Sequence, residues 1–356
     1  MNDKTFPLLA VTGLGRGENP QPGFAVAASL LRNWPMAHIA GLAYDALESG
    51  IYATDCFDAV FTIPYPSVGT QIMLERIDEI RSKFPFTVLI PTLDAELELF
   101  ISLRKELNDR GIQVMLPDSD ALKARRKSNL PTLAAAAKVK VPCTYIANSA
   151  YEAAEYCAII GSAVMVKGPF YEARRAESPF IASVHASRIL AEWGGPIIVQ
   201  EIITGTEFDL LGLGDGTGRM LGSCSIRKMV VSSQGKGYAG ITVHDKNLLS
   251  VCESLLKELK WKGPLEFEFI RDKDGEFYLI EINPRFPAWV DFPAQLGCNL
   301  AQAAVENLLG WESKMLCDIP AGKIFLRHSV DMICDVEEFA ALTAEGSIVR
   351  TYTDLV

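Results

Sequence analysis

The apolar positions of the first third of the chain fall into short runs separated by helical patterns. Residues Pro7–Thr12 form an apolar run of strand length, and Phe24–Arg32 has the composition of an apolar helix. Short buried runs that alternate with helical spacing are typical of parallel strands joined by crossover helices. The same alternation continues through strands His38–Tyr44, Ala59–Ile63, Thr87–Ile90 and Gln113–Leu116 and helices Ile72–Lys83 and Ala95–Asn108. We therefore predict a doubly wound parallel sheet in residues 1–116.

The pattern changes after Leu116. Helices are predicted from Pro117–Ser119 onward and at Leu130–Ala137, Ala150–Ile160 and Asn247–Leu259. Strands are predicted at Ala163–Lys167, Ile197–Ile202, Glu207–Leu213, Met220–Met229, Ile241–Thr242, Pro264–Ile270 and Glu276–Ile282. The Asp-Gly step in Asp272–Gly275 suits a hairpin between the last two strands. Consecutive strands with flanking helices indicate an α+β part with mostly antiparallel pairing.

Composition limits the functional classes. The chain has 356 residues, 49% hydrophobic and 22% charged, which is globular and long enough for more than one core. A net charge of -10 disfavours binding to the phosphate backbone of nucleic acids. No apolar run has the length of a membrane span or signal peptide, so we expect no membrane partner and a cytoplasmic location. The eight cysteines form no C-x-x-C pair, and we expect them to be reduced.

The strongest chemical signal lies in the predicted hairpin. Side chains alternate between faces along a strand, so Glu281 and Asn283 share one face. Glu266 and Glu268 share a face of the partner strand, and the two faces meet across the hairpin. Carboxylate and amide oxygens are the ligands that Mg²⁺ prefers, usually completed by phosphate oxygens and water. Arg285 follows this face and is suited to a forked contact with a phosphoryl group.

A solvated hairpin face would also carry glutamates. That alternative suits Glu276, but it suits Glu281 poorly because Ile280 and Ile282 flank it in an otherwise apolar segment. The parity of the strand allows either Glu266 or Glu268 as the second carboxylate ligand.

Two weaker signals precede the hairpin. Lys167 ends an apolar strand, and a lysine at that place needs an anionic partner or a path to water. Residues Gln200–Glu207 carry a buried strand into a short linker whose backbone groups could face a planar base. Neither signal is specific alone.

Together and in this order, these segments resemble the ATP-grasp superfamily, most of all its carbamoyl-phosphate-synthase-like carboxylate–amine ligases. The likeness covers nearly the whole chain. It is carried by Leu89–Glu96, Met115–Pro117, Lys127, Val141-Pro142, Val166-Lys167, Gln200–Glu207, Ile226–Lys228 and, most specifically, Glu281–Arg285.

The resemblance implies a Rossmann-like parallel-sheet N-terminal domain in 1–116, followed by an ATP-grasp fold of two α+β subdomains. The small subdomain, or lid, would be 117–196, and the large subdomain with the C-terminal segment 197–356. It also implies ATP and Mg²⁺ as cofactors, with Mn²⁺ as an alternative metal. The partners would be small carboxylate and amine substrates, amino acids or peptides among them, and a homodimer is left open.

The resemblance assigns roles residue by residue. ATP would be bound by Lys127, Lys167, Gln200, Glu201, Ile202, Ile203 and Glu207, with adenine on the backbones of Glu201 and Ile203 and the ribose on Glu207. The metal would be held by Glu268, Glu281 and Asn283. Arg285 would steady the transferring phosphoryl group, and Arg227 the substrate carboxylate or acyl phosphate. Phosphoryl transfer depends on such positioning and charge neutralisation.

The implied reaction is ATP-dependent ligation of a carboxylate to an amine or thiol through an acyl phosphate, with release of ADP and phosphate. One alternative is carbamoyl-phosphate-synthase-like or kinase-like transfer with release of the phosphorylated product. A second is an ATP-binding regulatory subunit without turnover. His328, beside Arg327, is a further candidate for the substrate pocket.

The chain departs from the family pattern in the loop Gly168–Ser178, which is usually glycine-rich. Here Pro169 and Arg174-Arg175 stand among its residues, and Pro169 has no N–H to donate. Either one arginine supplies positive charge to the β- and γ-phosphates or to the acid substrate, or both lie in solvent, balanced by Glu172 and Glu177. A second departure is Arg126, which precedes Lys127 where the family usually has aspartate.

Overall fold

The N-terminal unit is built on a parallel sheet. In the computed structural model, which describes residues 6–17, 20–169, 172–231, 237–313 and 317–350, its strands are β1 (Leu9–Thr12), β2 (Ile39–Ala43), β3 (Ala59–Thr62), β4 (Val88–Ile90) and β5 (Gln113–Val114). The helices are α1 (Gly23–Asn33), α2 (Thr70–Lys83), α3 (Asp94–Ser102) and α4 (Arg104–Asp109), with short 3₁₀ turns at Ser49–Tyr52 and Pro66–Val68. Strands β1 to β5 run parallel in the order β3-β2-β1-β4-β5.

Both faces of this sheet are covered, as expected for a parallel sheet. Along β1, Leu9 and Val11 belong to one apolar cluster and Ala10 to another, so successive side chains enter different cores. Strands β2 and β3 are added on one side of β1, and β4 and β5 on the other, so the strand order reverses at β1. Ligands of such sheets bind at the carboxyl ends of the strands on either side of the reversal.

A second unit has a four-stranded antiparallel sheet with two helices on it. After helices α5 (Ser119–Ala124) and α6 (Leu130–Ala137) come β6 (Thr144–Ala147), α7 (Ala150–Ile160), β7 (Val164–Lys167), β8 (Ala173–Ala176), α8 (Pro179–Trp193) and β9 (Ile197–Glu201). Their order in the sheet is β6-β9-β7-β8. The Ser149 hydroxyl accepts from the Glu152 N–H at the start of α7, and Ser178 with Pro179 starts α8 in the same manner.

The third sheet is antiparallel and six-stranded. It contains β10 (Thr206–Asp215), β11 (Met220–Val231), β12 (Gly237–Thr242), β13 (Lys262–Arg271), β14 (Phe277–Asn283) and β15 (Ile324–Leu326), in the order β14-β13-β10-β11-β12-β15. Helix α9 (Lys246–Leu259) starts at Asp245, whose carboxylate accepts from two backbone N–H groups, and covers one face. The opposite face of the sheet carries the candidate site.

The remaining elements return the chain to the N-terminal unit. Helices α10 (Asp291–Gln295), α11 (Leu300–Leu308) and α12 (Val336–Glu345) are followed by β16 (Ser347–Val349). Strand β16 pairs antiparallel with β3 at the edge of the parallel sheet.

The unit boundaries differ from the predicted ones in two places. The boundary predicted after residue 196 separates β9 from the small sheet, yet β9 pairs there with both β6 and β7. The predicted C-terminal part of the large subdomain contains β16, which belongs to the N-terminal sheet. Both strands complete their hydrogen bonds with segments distant in sequence, and no local pattern indicates such a pairing.

The cysteines also depart from expectation. Cys298 and Cys317 form a disulfide with Cα atoms 4.8 Å apart, although all eight were predicted to be reduced. The two are 19 residues apart in sequence and share no local motif. The other six cysteines are free thiols, of which Cys143 and Cys334 are exposed.

Candidate active site

The register of three strands gathers the predicted carboxylates on one face. In the β13–β14 hairpin, Glu268 lies opposite Glu281 and Glu266 opposite Asn283. On the other side of β13, Asp209 of β10 lies opposite Glu268. The turn forms as predicted, with the Gly275 N–H donating to the Asp272 carbonyl at 3.2 Å. Like charges in direct cross-strand contact repel, so this face requires cations.

The two candidate glutamates of β13 have different surroundings. Glu266 is buried and accepts hydrogen bonds from Trp289 Nε1 at 2.8 Å and from Asn283 Nδ2 at 3.1 Å. Its pKa is raised by burial and by the neighbouring Glu268. Glu268 is more exposed and accepts from Asn283 Nδ2 at 2.7 Å. Glu268 is therefore better placed to bind a group from the cleft, whereas Glu266 fixes the amide of Asn283.

Lys228 is the cation at the centre of this face. Its Nζ lies 2.8 Å from Glu268 Oε2, 3.1 Å from Asp209 Oδ1 and 3.3 Å from Glu207 Oε2, and its side chain is only 5% exposed. Burial alone would lower the pKa of Lys228, but the carboxylates, Glu268 and Asp209 foremost, raise it above its ordinary value.

Arg227, by contrast, does not join the cluster that the resemblance implied for it. Arg227 pairs with Phe208 of β10, whose side chain lies in the core on the face under α9. Because successive residues of a strand face opposite sides, Arg227 points away from Glu268, and its neighbour Lys228 occupies the site. The implied role of Arg227 in holding substrate is thus corrected, and the basic residue that β11 contributes is Lys228.

Two further lysines approach the site from the small sheet and its preceding helices. Lys127 Nζ lies 3.1 Å from Glu281 Oε1. Lys167 ends β7 in a buried position, and its Nζ donates to Gln200 Oε1 at 2.6 Å. Burial, together with the nearby Lys127, lowers the pKa of Lys167 to about 8. Gln200 is in turn held by Thr144, so the lysine is presented by a defined hydrogen-bond chain.

Arg285 connects the hairpin with the N-terminal unit. Its Nε donates to Asp94 Oδ1 at 3.1 Å, and its guanidinium lies 3.7 Å from Glu266. Asp94 also accepts from Arg125 at 3.3 Å. Asp94 begins α3, directly beyond the carboxyl end of β4, so the reversal point of the parallel sheet borders the carboxylate face.

The predicted base-binding segment follows β9. The Glu201 N–H donates to the Cys143 carbonyl at 2.8 Å, and the Cys143 N–H donates to the Glu201 carboxylate at 3.1 Å. Within the described part of the chain, the backbone N–H of Ile203 has no hydrogen-bond partner. Ile202 and Ile203 are half-buried. Glu207, at the start of β10, is 43% exposed beside Lys228. The segment therefore has an unpaired donor next to an apolar surface.

One basic residue of the site was not predicted. Arg327 continues the pairing of β15 with β12 through a 3.0 Å hydrogen bond from its N–H to the Tyr238 carbonyl. It follows Phe325 by two residues, and Phe325 stacks on Trp289 on the site face. Burial lowers the pKa of Arg327, opposed by the nearby Glu266, and its guanidinium forms no hydrogen bond or ion pair within the described part of the chain. His328 next to it is exposed. An arginine side chain after an edge strand gives no sequence signal of this placement.

The loop after Lys167 follows the second alternative raised by the sequence. Arg174 pairs with Glu172, and Arg175 Nε lies 2.6 Å from Glu177 Oε1. The Gly168 N–H donates to the Glu172 carbonyl at 3.0 Å. Both arginines lie in or beside β8 and are balanced locally. Phe170 and Tyr171 of this predicted lid loop lie outside the described residues.

The donor set fits a hard divalent cation. Glu268 and Glu281 face each other, and Asn283 turns its amide nitrogen towards the two β13 glutamates, which leaves its oxygen for another contact. In the described residues no three His, Cys, Asp or Glu side chains are arranged to hold a metal ion by themselves. Oxygens from a nucleotide would have to complete the coordination, as is usual for Mg²⁺.

Comparisons with known proteins agree with this geometry. Residues 195–322 match the family described as "ATP-grasp in the biosynthetic pathway with Ter operon". The fold is similar to biotin carboxylase of Campylobacter jejuni, in a complex with β,γ-ATP, with a TM-score of 0.70 and 15% identity over 90% of this chain and 74% of that one. It is also similar to the biotin carboxylase domain of Hydrogenobacter thermophilus 2-oxoglutarate carboxylase, in a complex with MgADP and bicarbonate. The TM-score is 0.69, with 17% identity over 90% of this chain and 74% of that one.

A third similar structure is the L-amino acid ligase of Bacillus licheniformis, with a TM-score of 0.64 and 16% identity over 90% of this chain and 79% of that one. No curated protein matches the sequence significantly. In the part of the chain that the structure describes, none of the helices combines the length and apolar character needed to cross a membrane. The predicted fold class is confirmed, since the fold matches that of these structures, and residues 195–322 agree with the predicted ATP-grasp resemblance.

Proposed function

We propose that this protein is an ATP-dependent carboxylate–amine ligase. The observation that carries the proposal is the cation-lined carboxylate face, in which Glu268, Glu281 and Asn283 lie together and Lys127, Lys167 and Arg285 converge on them. A carboxylate is a poor electrophile, and phosphorylation gives it a good leaving group. The site offers what such a transfer needs, namely positive charge around the phosphates and fixed positions for the reactants.

Each part of ATP has a matching group. Adenine would lie against Ile202 and bond the unpaired N–H of Ile203, and the ribose hydroxyls would bond Glu207. Lys167 and Lys127 would contact the phosphates. Mg²⁺, when bound, would neutralise phosphate charge, held by Glu268, Glu281 and the Asn283 oxygen. Mn²⁺ has the same ligand preference.

The acid substrate would bind between Arg285 and Arg327. Both guanidinium groups lie near Glu266, and Arg327 is partly buried without a protein partner among the described residues. A forked guanidinium recognises a carboxylate in two-point geometry. The L-amino acid ligase among the similar structures supports an amino acid as one reactant, with attack by an amine on the acyl phosphate and release of ADP and phosphate. An amine is preferred to a thiol on this ground.

The decisive experiment is a screen of amino acids and other acids for phosphate release, with and without added amines. Hydroxylamine added without an amine should trap an acyl phosphate as a hydroxamate. ADP rather than AMP should be the nucleotide product. AMP release would contradict the acyl-phosphate route, and accumulation of a stable phosphorylated product would favour the kinase-like alternative. Binding of ATP without turnover of any acid would favour a regulatory subunit.

The Glu281→Gln variant is the control for contaminating phosphatase activity, because it removes one anionic ligand at nearly constant size. Arg327→Ala tests the acid site. It should raise KM for the acid by at least about tenfold, the scale of one hydrogen bond to a charged group, with little change in KM for ATP. Equal changes for both substrates would remove Arg327 from the acid site.

A further inference from the structure

Lys228 occupies the place that a bound cation would take on Glu268. Its ammonium contacts carboxylates of two neighbouring strands, Glu207 and Asp209 of β10 and Glu268 of β13. Glu281, the other predicted metal ligand, is contacted by Lys127 in the same manner. The carboxylates that suit a divalent cation are therefore neutralised by lysines of the chain itself.

Asp209 differs from the other two partners of Lys228. It is 2% exposed, and the pairing of β10 with both β11 and β13 fixes its position. Its Oδ1 lies 3.1 Å from Lys228 Nζ but outside hydrogen-bond geometry, and it has no other hydrogen-bond partner among the described residues. A buried carboxylate without a counter-ion is strongly unfavourable. Asp209 therefore depends on Lys228, whereas Glu207 and Glu268 reach the cleft.

We propose that Lys228 is the counter-cation of Glu268 in the nucleotide-free protein and that Asp209 is a positioning residue, which keeps Lys228 beside the phosphates when a divalent cation takes over Glu268. This rests on the proposed function only in that the site binds ATP. A metal ion that binds without nucleotide must displace the Lys228 ammonium from Glu268, and the displaced ammonium then gains no new partner. With nucleotide present, the displaced ammonium gains phosphate oxygens. Metal and nucleotide binding are thus coupled through Lys228, and the coupling is reciprocal.

The test is a calorimetric titration of the intact chain with Mn²⁺ alone and then with a non-hydrolysable ATP analogue plus Mn²⁺. Lys228→Met should bind Mn²⁺ alone at least about tenfold more tightly than wild type and the analogue with Mn²⁺ at least about tenfold more weakly. A lysine with only a structural role would weaken both. Lys228→Gln keeps a hydrogen-bond donor for Glu268 without the charge, and should show the same opposite signs. Unchanged or weaker Mn²⁺ binding in both variants would overturn the proposal.

Asp209→Asn should weaken binding of the analogue with Mn²⁺ by about tenfold, and Asp209→Glu should restore part of the loss because it restores the charge. Asp215→Asn, at the far end of the same strand, is the matched control and should bind as wild type. Analogue affinity of Asp209→Asn equal to wild type would remove the positioning role. All these readouts are binding constants, so they can be measured even if no ligase turnover is found. If the two affinities do not change in opposite directions, the proposal about Lys228 fails, but the proposed ligase activity is not affected.

Discussion

Replacing Lys167 with methionine should stabilise the nucleotide-free protein while removing much of its affinity for ATP. Lys167 is 9% exposed at the end of β7, and among the described residues its ammonium donates one hydrogen bond, to Gln200 Oε1 at 2.6 Å. Its pKa falls from 10.5 to about 8 because burial disfavours the charged form. Methionine has a similar length and no charge, so it fits the same space without that cost.

The magnitude follows from the lowered pKa. At roughly 1.4 kcal/mol for each tenfold change in proton affinity, the ammonium form costs the folded chain roughly 3 kcal/mol relative to the unfolded chain. Methionine leaves Gln200 Oε1 without its donor, which costs about 1–3 kcal/mol. The net expectation is a variant more stable by about 1 kcal/mol at neutral pH. ATP affinity should fall by roughly 1.5–3 kcal/mol, the value of hydrogen bonds to a charged group.

The sign of the pH dependence is a further check. Because the folded pKa of Lys167 lies below the unfolded value, the cost is fully present below about pH 8 and disappears as pH rises towards 10.5. Over that window the unfolded chain holds a proton that the folded chain has lost, so wild type gains stability relative to the variant. Wild-type ATP affinity should also fall above about pH 8 as the free lysine loses its charge.

Urea unfolding of the two chains without nucleotide, across this pH range, measures the stability difference, and calorimetry measures ATP affinity. The control is Lys105→Met, an exposed lysine of α4, which should change neither property. A Lys167→Met chain that is less stable than wild type at neutral pH would refute the estimated cost of burial. ATP affinity equal to that of wild type would refute the phosphate contact.

Four other substitutions test the proposed nucleotide and metal site. Glu281→Ala should abolish ATP turnover with little change in the unfolding midpoint, since it removes an anionic metal ligand from a partly exposed position, and wild-type turnover would exclude that role. Glu207→Ala should weaken ATP binding by about 1 kcal/mol but change affinity for a 2′,3′-dideoxy analogue less, and equal losses would remove the ribose contact. Arg174→Ala and Arg175→Ala should each change turnover and KM by less than about tenfold, because both arginines are balanced by adjacent glutamates; a larger loss in either would give that arginine a role at the phosphates.

The parts of the site that local periodicity controls could be predicted from the sequence. Alternation places Glu281 and Asn283 on one face of β14 and Glu266 and Glu268 on one face of β13. The register that sets Glu281 opposite Glu268 depends on a one-residue shift between Glu268 and Phe269, which the turn does not indicate. Burial separates Glu266 from Glu268, and that distinction requires the positions of Trp289 and Asn283 in space. The sequence therefore predicts the face but leaves open which glutamate reaches the cleft.

Strand β11 contributes a site residue, Lys228, that was not predicted from the sequence. Cys224 and Ile226 are its buried residues on the site face, and Lys228 continues their parity. That alternation was present in the sequence and indicates Lys228 rather than Arg227 as the residue on the buried side. The family likeness instead implied a role for the arginine. A lysine that continues a buried stripe is the same signal that identified Lys167, so parity would have found it.

Long-range pairing accounts for most of the remaining differences. Helix α8 and strands β6 and β8 were not predicted, because their apolar positions are small or few and acquire their order from packing in the small sheet. Strand β16 has only three residues and pairs with a strand near the start of the chain. The position of Arg327 depends on the pairing of β15 with β12, which joins two segments that are far apart in the sequence.

The contact between Arg285 and Asp94 gives the N-terminal unit a direct part in the site. Asp94 lies just beyond the carboxyl end of β4 in the parallel sheet, and its two oxygens hold Arg285 from the hairpin and Arg125 from the end of α5. Arg285 is largely buried, so its orientation depends on that carboxylate and on Glu266. The proposed acid site between Arg285 and Arg327 therefore exists only while the N-terminal parallel sheet and the antiparallel sheet that contains β13 and β14 are in contact. Because a misplaced catalytic group loses much of its effect, a substitution at this junction should act on phosphoryl transfer more than on ATP binding.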